Sequence, residues 1–406
     1  MRLLILTQYY PPEIGAPQTR LAALARHVAS RGHEVEVVTA MPHHLLGRTY
    51  DGYRGKLYMR DEIDGVPVHR TWVYAATGTG LRRIANYLSF TATSMIGLLR
   101  AKKPDLVFVE SPPLFLSIPG WLIAKLRGAQ MIFNVADLWP DSVRELGVMS
   151  DGPLMRIAER LEAWSYRRAH LINAVTDGID DALRKKKLVP DSKLRFLPNG
   201  IDVDRFVPAR ANEELRSRLG LDGRPVFIYA GTHGIAQGLH NVVEAAALAG
   251  RSAQVLFVGS GPTKPALKAR VRERGIDNVH FVDPVPLDSM PEYFSLACAS
   301  IVPLVRSDLM RGARPSKLFP AFACGVPVIY SGEGEGAALV ADAGAGIVVP
   351  PEDSHAIAQA MRAIAGDPAA RERMSRSARA LALDRFAWSS IVDTWLHSLE
   401  RGTIGA

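Results

Sequence analysis

The sequence predicts two α/β domains in tandem, each a Rossmann-like, doubly wound parallel sheet. Three observations carry this. Short apolar runs alternate with helical spacings, the alternation pauses near Asn199-Gly200-Ile201-Asp202 and restarts, and 406 residues are about twice what one core comfortably holds.

In the first half, the runs at 3–6, 35–38, 66–69, 106–109, 131–135, 171–175 and 194–197 read as strands. Between the first two, Leu21, Leu24, Ala25 and Val28 fall at i, i+3, i+4 and i+7, and Gly32 stops the helix. That is a βαβ unit, and its repetition implies a parallel sheet with right-handed crossovers. After Pro198, runs at 226–230, 255–258, 279–282, 300–304, 327–330 and 346–349 repeat the pattern. The final segment, with Trp388, Ile391, Trp395, Leu396 and Leu399, reads as an amphipathic helix beyond the second sheet, expected to pack back on the first domain. The expected domains are 1–200 with 386–406, and 201–385. Ligands of open α/β sheets bind beyond the carboxyl ends of strands, so the expected site is a cleft that the two domains face.

Composition narrows the partners. Nearly half the residues are apolar (48%), and mean hydropathy is +0.03. The run at 3–6 is too short for a signal peptide and lacks a small-residue cleavage site, so a cytoplasmic location is expected. Cys298 and Cys324 have no metal-ligand spacing and read as reduced core residues. A net charge of +8 asks for an anionic partner. Nucleic acid is a poor candidate, because the basic residues are scattered and Lys185-Lys186-Lys187 lacks interleaved aromatics. The segment 81–103 places Leu88, Met95, Ile96 and Leu99 between Arg82-Arg83 and Arg100, Lys102 and Lys103. It fits either the inner membrane surface or a helix buried under the sheet, and its uncharged part, 84–99, is too short to span a bilayer.

The stretch 314–329, R-P-S-K-L-F-P-A-F-A-C-G-V-P-V-I, combines an anion-site design with strand re-entry. Ser316 is a candidate N-cap, Lys317 falls in the first helical turn beside Arg314, and Gly325 supplies a left-handed stop before the strand. Three further strand ends carry glycine: the loop holding Gly15, the turn Gly231-Thr232-His233-Gly234, and Gly259-Ser260-Gly261. None completes G-x-G-x-x-G, since Lys264 holds the third position, so a nicotinamide oxidoreductase is disfavoured.

P-P-E-I-G-A at 11–16, R-G-H-E-V-E-V-V-T at 31–39, D-L-W-P-D-S at 137–142, P-N-G-I-D at 198–202 and Y-A-G-T-H-G-I-A-Q-G at 229–238 belong to one pattern. V-G-S-G-P at 258–262, P-S-K-L-F at 315–319 and G-A-G-I-V-V-P-P-E-D at 344–353 extend it. The pattern resembles, nearly end to end, the family-four retaining glycosyltransferases with the GT-B fold. It is most similar to the subgroup that builds bacterial O-antigen, capsule and exopolysaccharide units.

The resemblance implies a metal-independent enzyme without a cofactor, with a UDP-sugar as co-substrate and a polyprenyl-diphosphate-linked or other glycan acceptor. It implies a donor site at Gly15, Gly231, His233, Gly234, Gly259, Gly261, Arg314, Ser316 and Lys317. The family's usual arginine and lysine in the first turn of the second domain are here Thr232 and Gln237, which leaves the diphosphate to Lys317 with Arg314 as helper. Its ribose-binding glutamate is here Pro320, expected at the fourth helical position, so Glu333 and Glu335 become candidates for the ribose. Asp137 is the candidate catalytic carboxylate, as a base or an orienting group for the acceptor; capping of the following turn is the plainer reading. Glu13, Arg20, His43 and His44 are candidate acceptor contacts, and the loops 41–60 and 281–286 are expected to select substrates. Other readings stay open: transfer to a small soluble acceptor, a GT-B-type nucleotide-sugar epimerase, and a non-catalytic sugar-nucleotide binder.

Overall fold

The computed structural model describes residues 1–13, 15–43, 47–76, 80–145 and 152–403. The chain forms two compact units, Met1–Asn199 with Ile391–Ala406, and Gly200–Ser390.

The first unit holds β1 (Arg2–Leu6), β2 (Glu34–Ala40), β3 (Tyr58–Ile63), β4 (Val66–Thr71), β5 (Leu106–Ser111), β6 (Gln130–Val135), β7 (Leu171–Ala174) and β8 (Leu194–Phe196). They form one sheet in the order β3-β4-β2-β1-β5-β6-β7-β8, parallel except for the β3–β4 pair. The central strands β1, β5 and β6 are largely apolar runs because both faces are covered. Val107 and Val109 join the core shared with Phe90, Leu98 and Ile123, whereas Phe108, pointing the other way, meets Trp395 edge-on at 6.0 Å. The helix Leu81–Arg100 crosses β2 and β4 at Gly97, where a Cβ would stand 2.8 Å from Val38.

The antiparallel strand β3 was not expected; its residues fall in and just after the stretch read as the loop 41–60. Asp64 and Gly65, with φ of 50° and 75°, make a two-residue hairpin turn of the kind that Asp-Gly favours. Its alternation is half polar because β3 is an edge strand.

The second unit holds β9 (Val226–Ala230), β10 (Gln254–Val258), β11 (Val279–Val282), β12 (Ala297–Pro303), β13 (Val328–Ser331) and β14 (Gly346–Val349), all parallel in the order β11-β10-β9-β12-β13-β14. Val226 and Ile228 enter one core and Phe227 and Tyr229 the other, as the period of two requires. The helix Pro368–Arg385 holds this unit's chain connections through Arg379, whose guanidinium donates to the carbonyls of Val203, Phe206 and Ala323 at 3.1, 2.8 and 2.7 Å.

Candidate functional site

Strand order reverses between β9 and β12 in the second unit, and such a switch point opens a crevice beyond the carboxyl ends of the strands. The turn after β9 lies there. Gly231 has φ 138°, and a Cβ on it would meet the Lys317 side chain at 2.6 Å, so glycine is what lets the lysine cross the turn. The turn after β10 packs directly on it: a Cβ on Gly259 would stand 2.1 Å from the Gly231 carbonyl, and one on Gly261 would stand 2.4 Å from that of His233. His233 N–H donates to the Ser260 carbonyl at 2.9 Å. Gly259 and Gly261 therefore secure one turn against the other. Lys264 completes the clasp, donating to the carbonyls of Gly259 and Val282 at 2.6 and 2.9 Å and to Asp283 at 2.8 Å.

Lys317 is half-buried, its Nζ 5.9 Å from the centre of the Tyr229 ring. No carboxylate or hydrogen-bond acceptor among the described residues pairs with it. Burial lowers its pKa to about 8. The His233 ring is buried between Tyr229 and Phe257, with centroids at 5.6 and 5.8 Å, and neither ring nitrogen has a partner among the described residues. Burial first, then the charges of Lys264 and Lys317, lower its pKa to about 4, so the imidazole is neutral at physiological pH.

The helix after Lys317 differs from the expectation. It spans only Leu318–Ala323, Lys317 itself takes the N-cap position without a side-chain capping bond, and Ser316 lies in the preceding turn. Pro320 is thus the third helical residue, not the fourth, where a backbone N–H has no intrahelical acceptor to lose. At the other end Gly325, at φ 65°, closes a Schellman motif: Val326 N–H donates to the Ala321 carbonyl at 2.8 Å and Gly325 N–H to that of Phe322 at 2.9 Å.

Arg314 is buried and ion-paired with Glu335, the first residue of the helix Glu335–Asp342. Glu333 is held by Arg306 and Arg311, each at 2.9 Å. Both candidate ribose acids are therefore already neutralised by arginines. Gln237 accepts from the Gly234 N–H at 3.1 Å, and the Thr232 carbonyl accepts from the Tyr229 hydroxyl at 2.5 Å.

In the first unit, Asp137 follows β6 by two residues and accepts from the Ser142 hydroxyl at 2.9 Å. Burial raises its pKa above the usual aspartate value despite that bond. Glu13 is buried and accepts from the His43 N–H at 2.5 Å. His43 is also buried: its Nδ1–H donates to the Met41 carbonyl at 2.8 Å, and its Nε2 accepts from Asn86 at 2.9 Å. Burial lowers its pKa, which agrees with a neutral ring that orders the loop. Arg20 is paired with the buried Glu110, to which Asn134 also donates at 2.9 Å. Glu13, His43 and Arg20 thus each have partners inside the protein. His44 lies outside the described residues.

Sequence reasoning placed Arg83 only in the basic flank of the segment 81–103 and assigned Tyr229 nothing. The Arg83 guanidinium sits 5.8 Å from the Tyr9 ring centre and 4.8 Å from that of Tyr87, and its Nε donates to the Tyr87 hydroxyl at 2.9 Å. A tyrosine four residues on from an arginine was the available signal. Tyr229 stood in the quoted Y-A-G-T string without a role.

Residues 15–200 match the glycosyl transferase 4-like domain and residues 211–381 match glycosyl transferases group 1. The putative colanic acid biosynthesis glycosyl transferase WcaI of Escherichia coli is 28% identical over 375 residues, 89% of this chain and 91% of that protein. Among solved structures, sucrose-phosphate synthase from Thermosynechococcus elongatus aligns with a TM-score of 0.77 at 19% identity, covering 99% of each chain. Anabaena HepE in complex with UDP-glucose aligns at 0.76 and 18% identity, covering 99% of this chain and 100% of that one.

Proposed function

Since the chain belongs to the family-four glycosyltransferases with the GT-B fold, we propose that it transfers a hexose or N-acetylated sugar from a UDP-sugar to a polyprenyl-diphosphate-linked or other glycan acceptor. The process is cell-envelope polysaccharide synthesis at the inner membrane face, and the transfer retains the anomeric configuration without a metal. Lys317 carries the proposal: a half-buried ammonium group without an anionic partner among the described residues, at the switch point of the second unit. A nucleotide diphosphate supplies the missing charge. The colanic acid relative supports the polysaccharide context, and UDP-glucose in HepE supports the donor class.

In the proposed step the acceptor oxygen bonds to the anomeric carbon as the bond from that carbon to the phosphate oxygen breaks. The hydroxyl proton passes to the departing phosphate on the same face, and UDP leaves. Lys317 stabilises the charge gathering on the diphosphate, and Asp137 in the first unit orients the acceptor hydroxyl. His233 offers unpartnered ring nitrogens to the donor.

The test is a panel of UDP-sugars with a polyprenyl-diphosphate-linked acceptor in EDTA, with product linkage read by NMR. An α-linked product from an α-donor is expected. An inverted linkage, or strict dependence on added metal, overturns the mechanism. A second reading, a binder without turnover, is favoured by the uncharged Thr232 and Gln237 and by Pro320. It predicts UDP binding with no product from any donor, and gained turnover in Pro320→Glu.

A further inference from the structure

On one side of the first unit's sheet, three neighbouring helices, Leu81–Arg100, Ser117–Arg127 and Pro153–Arg168, expose apolar side chains on their solvent faces. Leu99 is 53% exposed, Leu126 62% and Ile157 57%, with Leu88 and Leu122 also exposed. The helices adjoin: the Arg127 guanidinium donates to the Leu99 carbonyl at 2.9 Å, and Trp121 meets Trp164 edge-on at 5.5 Å. Spacing makes the exposure a surface. Ile118, Leu122 and Leu126 recur every fourth residue along the middle helix, the repeat of one helical stripe.

The charge on these helices is predominantly basic. The first two helices contain no acidic residue, and in the third Glu162 is buried against Lys187 while Glu159 is paired with Arg144. Arg82 and Arg100 on the first helix and Arg160 and Arg167 on the third are exposed. At the carboxyl ends of the second and third helices a cavity of about 340 Å³ opens against Lys125 and Arg168. Lys125 and Arg168 lie over the Trp121 ring there, 5.2 and 5.3 Å from its centre, with His170 and Lys193 on the wall and no acidic residue in the lining.

We propose that this face lies on an anionic phospholipid surface, with the leucine stripe in the interface and the Lys125–Arg168 cavity over headgroup phosphates. Apolar exposure framed by cations, with the acids withdrawn into ion pairs, complements a negatively charged bilayer and opposes a basic second copy of the same face. No helix among the described residues is long and apolar enough to cross a membrane, so the contact is superficial. The inference rests on the proposed function only for which membrane is meant. Vesicle binding reads it without any sugar transfer, so the two fail separately.

The test is flotation of the full chain with phosphatidylcholine vesicles, with and without phosphatidylglycerol, beside the double variants Leu122→Glu/Leu126→Glu and Lys125→Glu/Arg168→Glu. All four positions lie at the surface, and thermal melts verify folding. The expected result is binding only to the vesicles with phosphatidylglycerol, reduced about tenfold or more by either double variant and weakened by salt. Absent binding at low salt, or binding that both variants retain, overturns the proposal. So does concentration-dependent dimerisation abolished by Leu122→Glu/Leu126→Glu in a protein that ignores vesicles.

Discussion

Lys317 places function and stability in opposition. Its folded pKa of about 8 lies below the 10.5 of an exposed lysine, so between those values the unfolded chain holds more protons and stability rises with pH; below about 8 the full cost of the buried charge is present. Lys317→Met removes that cost, and roughly 1–3 kcal/mol of added stability is expected in denaturant unfolding at neutral pH, with nucleotide affinity lost. The anionic ligand favours the charged form, so UDP binding takes up protons near pH 8 and weakens above it, a sign that titrations in buffers of different ionisation enthalpy read directly. Asp137 is expected to act on turnover alone: Asp137→Asn lowers kcat about 100-fold or more while UDP affinity stays unchanged. Because burial raises its pKa, the acid limb of the rate profile is expected above the ordinary aspartate range. Lys317 was legible as a candidate from the P-S-K motif, and Asp137 as a carboxylate at a strand end. The commitments of Arg20 to Glu110 and of His43 to Asn86 were hidden, because those partners are 90 and 43 residues away and only the fold brings them together.

At the scale of elements, two glycine turns pressed against each other shape the candidate donor site. Gly259→Ala forces a methyl group to 2.1 Å from the Gly231 carbonyl at φ 136°, and destabilisation of roughly 2–4 kcal/mol is expected in chemical unfolding, with UDP affinity falling in the protein that remains folded. The glycines were legible as strand-end turns, but their contact was not. Strand order decides which parallel strands become neighbours, and that order is a long-range property of the sheet. The apolar runs gave the buried parallel strands because each is covered on both faces. The edge strand Tyr58–Ile63 escaped because its outward residues are polar, and the Asp64-Gly65 turn was the sign to weigh more heavily.

For the whole molecule, the carboxyl-terminal segment belongs with the first unit's stability although it follows the second unit in sequence. Trp395 is buried, meets Phe108 edge-on, and donates its Nε1–H to Asn173 at 3.1 Å. Trp395→Ala is expected to cost roughly 3–5 kcal/mol and to lower the unfolding transition of the first unit alone, which limited proteolysis of each unit resolves. The return of this helix was readable from its paired tryptophans and their spacing; the aspartate clasp by which Arg31 holds Asp393 at 2.6 Å was not. The central claim is that the switch point of the second unit binds a nucleotide diphosphate through Lys317. Calorimetric titration with UDP in EDTA, with Lys317→Ala alongside, tests it most directly. Saturable binding to the native chain, lost in the variant, is the expected result; equal binding by both, or none by the native chain, contradicts it.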